Sequence, residues 1–193
     1  MADGGVEMEY PVRKPNRLPE YDYSQNGAYF ITIYTQERKE ILSKIVGNDD
    51  EITNIANGCM QNAVGEPIRL PFLPQENPIL FPYGQIVKES VLNIPNCYPQ
   101  VQVDKYVIMP NHVHLIITIE EYQRCGKMIS SPTVSTVVGQ MKRYASKQAG
   151  ISLWQRSFHD HVIRGERDYK KIWAYIDENP YHWREDCFYP AQG

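Results

Sequence analysis

Apolar residues recur along the chain with two different spacings, and these spacings predict its secondary structure. Runs of β-branched and aromatic residues predict strands, whereas apolar positions three and four apart predict amphipathic helices. The predicted strands are 28–35, 101–109, 112–119 and 154–164, and the predicted helices are 83–94, 135–148 and 168–179. The order is therefore strand, helix, strand, strand, helix, strand and one further helix.

This order predicts an α+β fold. Two split β-α-β units form a ferredoxin-like antiparallel sheet (βαββαβ) with helices on one face, and an additional C-terminal helix carries Tyr175. The first and third strands are central in that topology, so strand 112–119 is expected in the middle of the sheet. In the helix 135–148, the residues expected to face the core are Val137, Val138, Met141 and Tyr144, and Gly150 is expected to end the helix.

Proline, glycine and asparagine mark the regions outside this pattern. We predict an irregular N-terminal arm at 1–27 and a single domain at 28–193, with an insertion at 47–80. Short strands at 51–55 and 68–70 are expected to pair within the insertion. Residues 120–132 are polar and are predicted to be irregular.

Composition narrows the class of protein. The 193 residues are 42% hydrophobic, and no apolar run approaches the roughly 18 residues of a membrane span. The N-terminus is acidic and lacks the apolar segment of a signal peptide. The four cysteines, Cys59, Cys97, Cys125 and Cys187, are far apart, which favours free thiols over a disulfide framework or a zinc site. These features predict a cytoplasmic protein that does not bind membranes.

The charge is distributed unevenly along the chain. The net charge is −3, but residues 122–173 contain 10 Lys and Arg against 3 Asp and Glu, a local net of +7. Such a basic segment is typical of a surface that binds a phosphate backbone. A solvated basic helix face that is balanced by an acidic surface explains it equally well.

Two histidines stand out within the most apolar predicted strand. His112 and His114 are two residues apart, so their side chains project from one face, about 7 Å apart along the strand. Two neutral imidazoles can bind a metal and leave other positions open for catalysis. The alternative is a pair of histidines whose role is structural.

The last predicted helix carries a second set of candidate residues. Tyr175 and Asn179 are four residues apart and share one face with Lys171. The amide oxygen of Asn179 is a possible third metal ligand, and the Tyr175 phenol is a possible nucleophile. Because the pKa of tyrosine is about 10, a cation such as a metal or Lys171 must assist. Alternatively, Tyr175 packs the helix against the sheet and Asn179 caps it before Pro180.

Several motifs in sequence resemble those of one family. Met-Pro-Asn-His-Val-His-Leu at 109–115 resembles the HUH motif (His, hydrophobic residue, His) of single-tyrosine transposases. Three further segments resemble the REP-associated tyrosine transposase branch: Arg-Leu-Pro-Glu-Tyr-Asp-Tyr-Ser at 17–24, Trp-Gln-Arg-Ser-Phe-His-Asp-His-Val-Ile-Arg at 154–164, and Tyr-Ile-Asp-Glu-Asn-Pro at 175–180. The resemblance extends from about residue 13 to residue 189.

The resemblance implies a mechanism. His112 and His114 would hold Mg²⁺ or Mn²⁺ with Asn179 as the helix-borne ligand, and Tyr175 would attack a phosphodiester of single-stranded DNA. The products would be a 5′-phosphotyrosine and a free 3′-OH. The implied substrates are hairpins of repetitive palindromic sequences. The family also includes monomers and helix-exchanging homodimers, so Tyr175 is expected to act either in cis or in trans.

The basic residues are the candidates for contact with such DNA. They are Arg13, Lys14, Arg17, Lys142, Arg143, Lys147, Arg156, Arg164 and Lys171. Tyr144, Trp154 and Phe158 are possible stacking platforms for bases, although a core role fits each of them better. The role of His161 stays open. Two other functions also remain open: a non-catalytic nucleic-acid-binding module on the same fold, and an unrelated His-x-His metal hydrolase.

Overall fold

The computed structural model describes residues 22–23, 25–45, 78–124 and 127–185. The strands are β1 (Gly27–Tyr34), β2 (Ser43–Lys44), β3 (Ile79–Leu80), β4 (Val101–Ile108), β5 (His112–Ile119), β6 (Tyr122–Arg124), β7 (Lys127–Ile129) and β8 (His159–Val162). The α-helices are α1 (Pro82–Leu92), α2 (Ile94–Cys97), α3 (Val134–Ala149) and α4 (Glu166–Glu178), and short 3-10 helices span Gln36–Arg38 and Trp183–Glu185.

The central sheet confirms the predicted topology. Its strand order is β4-β5-β1-β8, and every neighbouring pair is antiparallel. The predicted first and third strands, β1 and β5, are therefore the central pair. Their register places Thr32 opposite His114 and Tyr34 opposite His112.

The two faces of the sheet have separate cores. Ile31, Val113 and Leu115 point to the face that α1 and α3 cover, where they belong to the larger apolar cluster. Ile116 points to the opposite face and packs with Ile176 of α4 in a second, smaller cluster. This alternation follows from the pleat of a strand, which sends successive side chains to opposite faces. The predicted fold class, with an additional helix that carries the tyrosine, is confirmed.

Capping residues mark the starts and ends of the helices. The hydroxyl of Thr133 accepts a hydrogen bond from the Thr136 N–H at the start of α3, as an N-cap does. Gly150 has φ +69° and ends α3 in the left-handed conformation that glycine adopts at low cost, as predicted. Asn179 follows α4 and donates its backbone N–H to the Tyr175 carbonyl.

Three predictions about local structure are wrong. Within the segment 120–132, which was predicted to be irregular, β6 and β7 form a short antiparallel hairpin. The predicted strand 154–164 is reduced to β8, although Trp154 makes an isolated bridge with Thr35. Tyr144 was expected to face the core, but it is 38% exposed on α3. The hairpin lacks a sustained apolar alternation, and Tyr144 lines a cleft instead of packing in the core.

Part of the predicted organisation lies outside the described residues. Almost all of the N-terminal arm, with Arg13, Lys14 and Arg17, lies outside the described residues, and both expected strands of the insertion also lie outside them. The end of the insertion is described, because β3 pairs with β2 before α1 begins. Cys97 is an exposed free thiol, while the other three cysteines are outside the described part. No helix in the described part combines the length and apolar character needed to cross a membrane.

Candidate functional site

The two histidines of β5 lie on the face that α4 covers. His112 is 0% exposed and His114 is 1% exposed. Their backbone positions are about 7 Å apart, but the side chains turn toward each other, so that the ring centroids are 4.5 Å apart and the two Nε2 atoms are 3.0 Å apart. The sequence therefore correctly predicted a shared face, and the structure adds that two ring nitrogens converge.

Each imidazole is held on its outer side by a hydrogen bond. Nδ1 of His112 lies 2.8 Å from Oδ1 of Asn111, and Nδ1 of His114 lies 2.8 Å from Oγ1 of Thr32. Such outer partners set the ring orientation and leave Nε2 pointing into the site. The sequence analysis did not identify either partner. Asn111 precedes His112 in the chain, whereas Thr32 becomes a neighbour of His114 only through the pairing of β1 with β5.

Burial keeps His114 in its neutral form. The loss of solvent lowers the pKa of this imidazole well below its ordinary value of 6.5, and the neighbouring His112 lowers it further. A neutral imidazole has a lone pair on one ring nitrogen, and this is the form that binds metals. The chemistry of the pair therefore fits a divalent cation.

Tyr175 reaches the pair from α4. Its hydroxyl oxygen lies 3.3 Å from Nε2 of His114, and its ring meets the His114 ring edge to face at 5.3 Å between centroids. Phe30 of β1 supports both rings, because it stacks on His114 and contacts Tyr175 edge-on. Tyr175 is nevertheless 41% exposed, so a substrate in solvent can approach the phenol.

Asn179 lies one helical turn beyond Tyr175 and is only 3% exposed. Trp183, four residues further on, has its ring 5.9 Å from that of His112. Along the chain, Asn179 therefore lies between Tyr175, which contacts His114, and Trp183, which contacts His112. No group of three or more His, Cys, Asp and Glu side chains that could hold a metal occurs in the described ranges. A metal bound here would need the amide of Asn179, or oxygen atoms from outside the chain, in addition to the histidines.

The site extends toward β8 through the rings of Tyr34 and His159. Tyr34 lies beside His112, and the ring of His159 meets Tyr34 edge to face at 5.6 Å. His159 and His161 are opposite Thr32 and Phe30 in the β1–β8 pairing, so they project on the same face. His161, whose role the sequence left open, bonds Asp168 at the start of α4.

The predicted DNA-binding residues within the described ranges fall into two groups, one on α3 and one beside β8 and α4. Arg143 and Lys147 are exposed on α3, on the opposite face of the sheet from the histidine pair. Arg156 precedes β8, and Arg164 and Lys171 follow it on the side of α4; all three are exposed. Lys142 is engaged within the chain, because its ammonium donates to the carbonyl of Gln155 and, at longer distances, to the next two carbonyls.

The three candidate stacking residues differ in exposure. Trp154 is 5% exposed and Phe158 is partly buried against the larger cluster, so both support the core. Tyr144 is the exposed one, and it lines a cleft of about 210 Å³ between α2 and α3 together with Arg143 and Lys147. Of these aromatic side chains, Tyr144 alone has a face available to a base.

Comparison with known proteins shows which sequences this chain resembles. The sequence model of the family "Transposase IS200 like" matches residues 85–179, a range that includes both histidines, Tyr175 and Asn179. An uncharacterized protein of Haemophilus influenzae is 29% identical over 195 residues, covering 92% of this chain and 93% of that protein. A REP-associated tyrosine transposase of Escherichia coli is 25% identical over 97 residues, covering 50% of this chain and 53% of the transposase.

A solved structure resembles the fold. It is that of a REP-associated tyrosine transposase bound to a REP hairpin, with a TM-score of 0.52, 19% sequence identity, and coverage of 86% of this chain and 74% of that one. At this identity the likeness concerns the fold.

Proposed function

We propose that this chain, which is a relative of the IS200-like transposases as its motifs predicted, cleaves and rejoins single-stranded DNA through Tyr175. One observation carries the proposal. An exposed phenol lies 3.3 Å from a buried imidazole whose own partner is a second imidazole. A tyrosine that served only to pack α4 against the sheet would not need its hydroxyl at this position with its ring open to solvent.

Tyr175 supplies the nucleophile. Its phenol oxygen forms a bond to the scissile phosphorus, and the bond from phosphorus to the 3′ oxygen breaks. The phenol loses its proton and the departing 3′ oxygen gains one, so the products are a 5′-phosphotyrosine and a free 3′-OH. Attack of a 3′-OH on the phosphotyrosine reverses these bond changes and rejoins the strand without an external energy source.

His112, His114 and Asn179 would hold a divalent cation, Mg²⁺ or Mn²⁺. When bound, such an ion supplies Lewis-acid polarisation of the scissile phosphate. The convergence of two Nε2 atoms, the neutrality of His114 and the buried amide one turn from Tyr175 support this ligand set. Phe30 and Trp183 enclose the pair on either side and exclude bulk water from it.

The proposed substrate is hairpin DNA. The structurally similar transposase was solved with a REP hairpin, and the basic residues of this chain offer a path for such a ligand. Lys142 bonds α3 to the loop before β8, where Arg156 lies, whereas Arg143 and Lys147 line the cleft between α2 and α3. A hairpin backbone that follows the β8 edge would contact Arg156 and Arg164 and leave a flanking strand near Tyr175.

We propose cleavage in cis, with Tyr175 and His114 supplied by the same chain. A monomer is sufficient for this arrangement. A homodimer that exchanges α4 would build the same contact from two chains, so a mixture of Tyr175→Phe and His114→Ala chains distinguishes the two. Recovery of cleavage in the mixture would mean that α4 is exchanged.

The test is formation of a covalent protein–DNA adduct. The chain is incubated with Mn²⁺ and single-stranded hairpins from its own genomic surroundings, and the products are separated under denaturing conditions. Tyr175→Phe is expected to abolish the adduct while hairpin binding survives, and His112→Ala is expected to abolish metal-dependent cleavage. Tyr144→Phe, which alters an exposed tyrosine on the opposite face, is the matched control.

Three outcomes would contradict the proposal. An adduct that persists in Tyr175→Phe would assign the nucleophile to another tyrosine. Hairpin binding without cleavage of any related hairpin in Mn²⁺ would indicate a binding module on this fold, and tight zinc binding without DNA binding would indicate a hydrolase.

A further inference from the structure

The turn that follows β1 has a strained backbone. Within the described ranges, Glu37 and Arg38 are the only non-glycine residues with a positive φ, at +56° and +54°. This left-handed region is unfavourable for a residue with a Cβ, because the Cβ comes too close to the following carbonyl oxygen. Strained residues of this kind persist only where the surrounding structure holds them, and they cluster at ligand-binding and active sites.

The turn is held by the segments before β5 and before β8. The hydroxyl of Thr35, which is 0% exposed, lies 2.8 Å from the carbonyl oxygen of Lys39 and 3.0 Å from that of Asn111. The backbone N–H of Thr35 donates to the same Asn111 carbonyl, and Trp154 pairs with Thr35 in an isolated bridge. Because Asn111 immediately precedes His112, these contacts fix the turn relative to the histidine pair.

Arg38 is the charged group that this turn places near the site. Its guanidinium carbon lies 5.2 Å from the centroid of the Tyr34 ring, a cation–π distance. Tyr34 is 5% exposed, and its ring centroid is 6.1 Å from that of His112. Arg38 itself is exposed, and the neighbouring carboxylate of Glu37 pairs with Lys39. A solvent-accessible cation therefore lies one aromatic ring away from the histidine pair.

His159 reaches the same tyrosine from β8. Its ring meets the Tyr34 ring edge to face at 5.6 Å between centroids, and its side chain is exposed. Arg38 and His159 thus contact one buried ring while both reach solvent. A guanidinium presents a planar fork of N–H donors that matches the oxygens of a phosphate, and an imidazole N–H supplies a further donor. The chemistry that these two side chains share is recognition of a phosphate group.

We propose that Arg38 and His159 bind a backbone phosphate of the DNA strand close to the scissile phosphate. The position of this site rests on the proposed function, which puts the scissile phosphate at the histidine pair. Only the Tyr34 ring separates that position from Arg38 and His159. Because a strand advances by about 3.4 Å or more per nucleotide, this separation corresponds to about one or two nucleotides. The strained turn holds the guanidinium in place before DNA binds, which reduces the entropy lost on binding.

The test removes the charge of one phosphate at a time. A hairpin with its single-stranded flanks is synthesised with an uncharged methylphosphonate at each position in turn, and binding is measured in chelator so that no cleavage occurs. Arg38→Gln is expected to weaken binding of unmodified DNA about tenfold and to reduce the slope of the salt dependence by about 1. At one methylphosphonate position, within about two nucleotides of the adduct position, Arg38→Gln and the unsubstituted chain should bind equally, because the charge that Arg38 contacts is absent.

Three further variants complete the test. His159→Gln should weaken binding and lose this effect at the same methylphosphonate position. Arg38→Lys should keep the salt slope but lose part of the affinity, because an ammonium lacks the guanidinium fork. Lys39→Gln is the matched control, since it removes one exposed charge from the same turn. Its effect should be the same at every methylphosphonate position, and thermal melts verify that all variants fold.

The scan separates this site from the proposed function. If Arg38→Gln binds more weakly than the unsubstituted chain by the same factor at every methylphosphonate position, Arg38 contacts no individual phosphate and the site is overturned. An equalised position far from the adduct would also overturn it. If the chain binds hairpins but forms no adduct, the proposed function fails, whereas an equalised position still establishes the phosphate site. An unsubstituted chain that binds no DNA would overturn both.

Discussion

Nε2 of His161, on β8, lies 2.8 Å from a carboxylate oxygen of Asp168, in the first turn of α4. The same oxygen accepts the backbone N–H of Arg164 from the connection between the two elements. Because α4 carries Tyr175, this junction helps to set where the phenol lies relative to the histidine pair. The acidic side chain is also at the helix N-terminus, where the helix dipole favours negative charge.

We predict that Asp168→Asn lowers the melting temperature at pH 7 and reduces adduct formation. The hydrogen bond from His161, and then that from the Arg164 N–H, lowers the pKa of Asp168. A carboxyl group whose folded-state pKa is depressed stabilises the fold above its unfolded value of about 3.9, and this contribution is lost as the pH falls through the folded value. The difference in melting temperature between variant and unsubstituted chain should therefore shrink below about pH 4.

Glu166→Gln is the matched control for Asp168→Asn. Glu166 lies in the same turn of α4 but forms an exposed pair with Lys170, and exposed pairs contribute little. Its substitution should change neither melting nor adduct yield. Equal effects of the two substitutions would mean that the acidic turn acts through its charge rather than through the bond to His161.

Removal of the Asn179 amide is expected to affect metal binding and leave hairpin binding intact. Asn179→Leu replaces the amide with an apolar side chain of similar size, and we expect Mn²⁺ affinity and cleavage to fall by at least about tenfold. Asn179→Asp restores an oxygen ligand and should recover most of the activity. Titration of Mn²⁺ and cleavage of a labelled hairpin measure both quantities. Unchanged Mn²⁺ affinity in Asn179→Leu would remove Asn179 from the proposed ligand set.

The features that sequence could predict are those that local periodicity encodes. The alternation in 112–119 was sufficient to assign both histidines to one face and Val113 to the other, because a strand has a side-chain period of two. The spacing of Tyr175 and Asn179 likewise predicted a shared helix face. Family motifs, rather than periodicity, joined these two elements into one site.

What sequence missed depends on pairing between distant segments. Thr32 contacts His114 because β1 pairs with β5 in one register, and a shift of one residue would replace it with Ile31 or Ile33. Phe30 reaches the site by the same register. The β6–β7 hairpin was missed because its strands are three residues long and carry no sustained alternation. Sequence also did not show that the ammonium of Lys142 donates to a carbonyl of the loop before β8, and its contact with phosphate stays a prediction.

Tyr169 links α4 to β4 and provides a prediction at alkaline pH. Its hydroxyl donates to Asp104, which also accepts from Thr118, and burial with this carboxylate raises the pKa of Tyr169 to about 12. A raised pKa means that the stabilisation is present below the unfolded value of about 10 and is lost as the pH rises through the folded value. Tyr169→Phe should lower the free energy of unfolding by about 1 kcal/mol at pH 7, and the difference should shrink above about pH 10 and disappear as the pH reaches the folded value of about 12.

The control for Tyr169→Phe is Tyr181→Phe, because Tyr181 is 80% exposed. Denaturant unfolding at several pH values measures both variants. If Tyr169→Phe is as stable as the unsubstituted chain at pH 7, the bond to Asp104 does not contribute to the docking of α4.

Gly84 and Gly139 are both helical glycines, but we predict opposite effects of alanine at the two positions. A Cβ at Gly84 in α1 would lie 2.0 Å from the carbonyl oxygen of Leu42, which is held by a hydrogen bond from the Phe81 N–H. Because backbone atoms must move, Gly84→Ala should destabilise the fold by about 1–3 kcal/mol. A Cβ at Gly139 in α3 meets no heavy atom within 4 Å, so Gly139→Ala should stabilise by about 0.5–1 kcal/mol through helix propensity. Urea unfolding measures both, and a destabilised Gly139→Ala would mean that α3 packs more tightly at this position than the structure indicates.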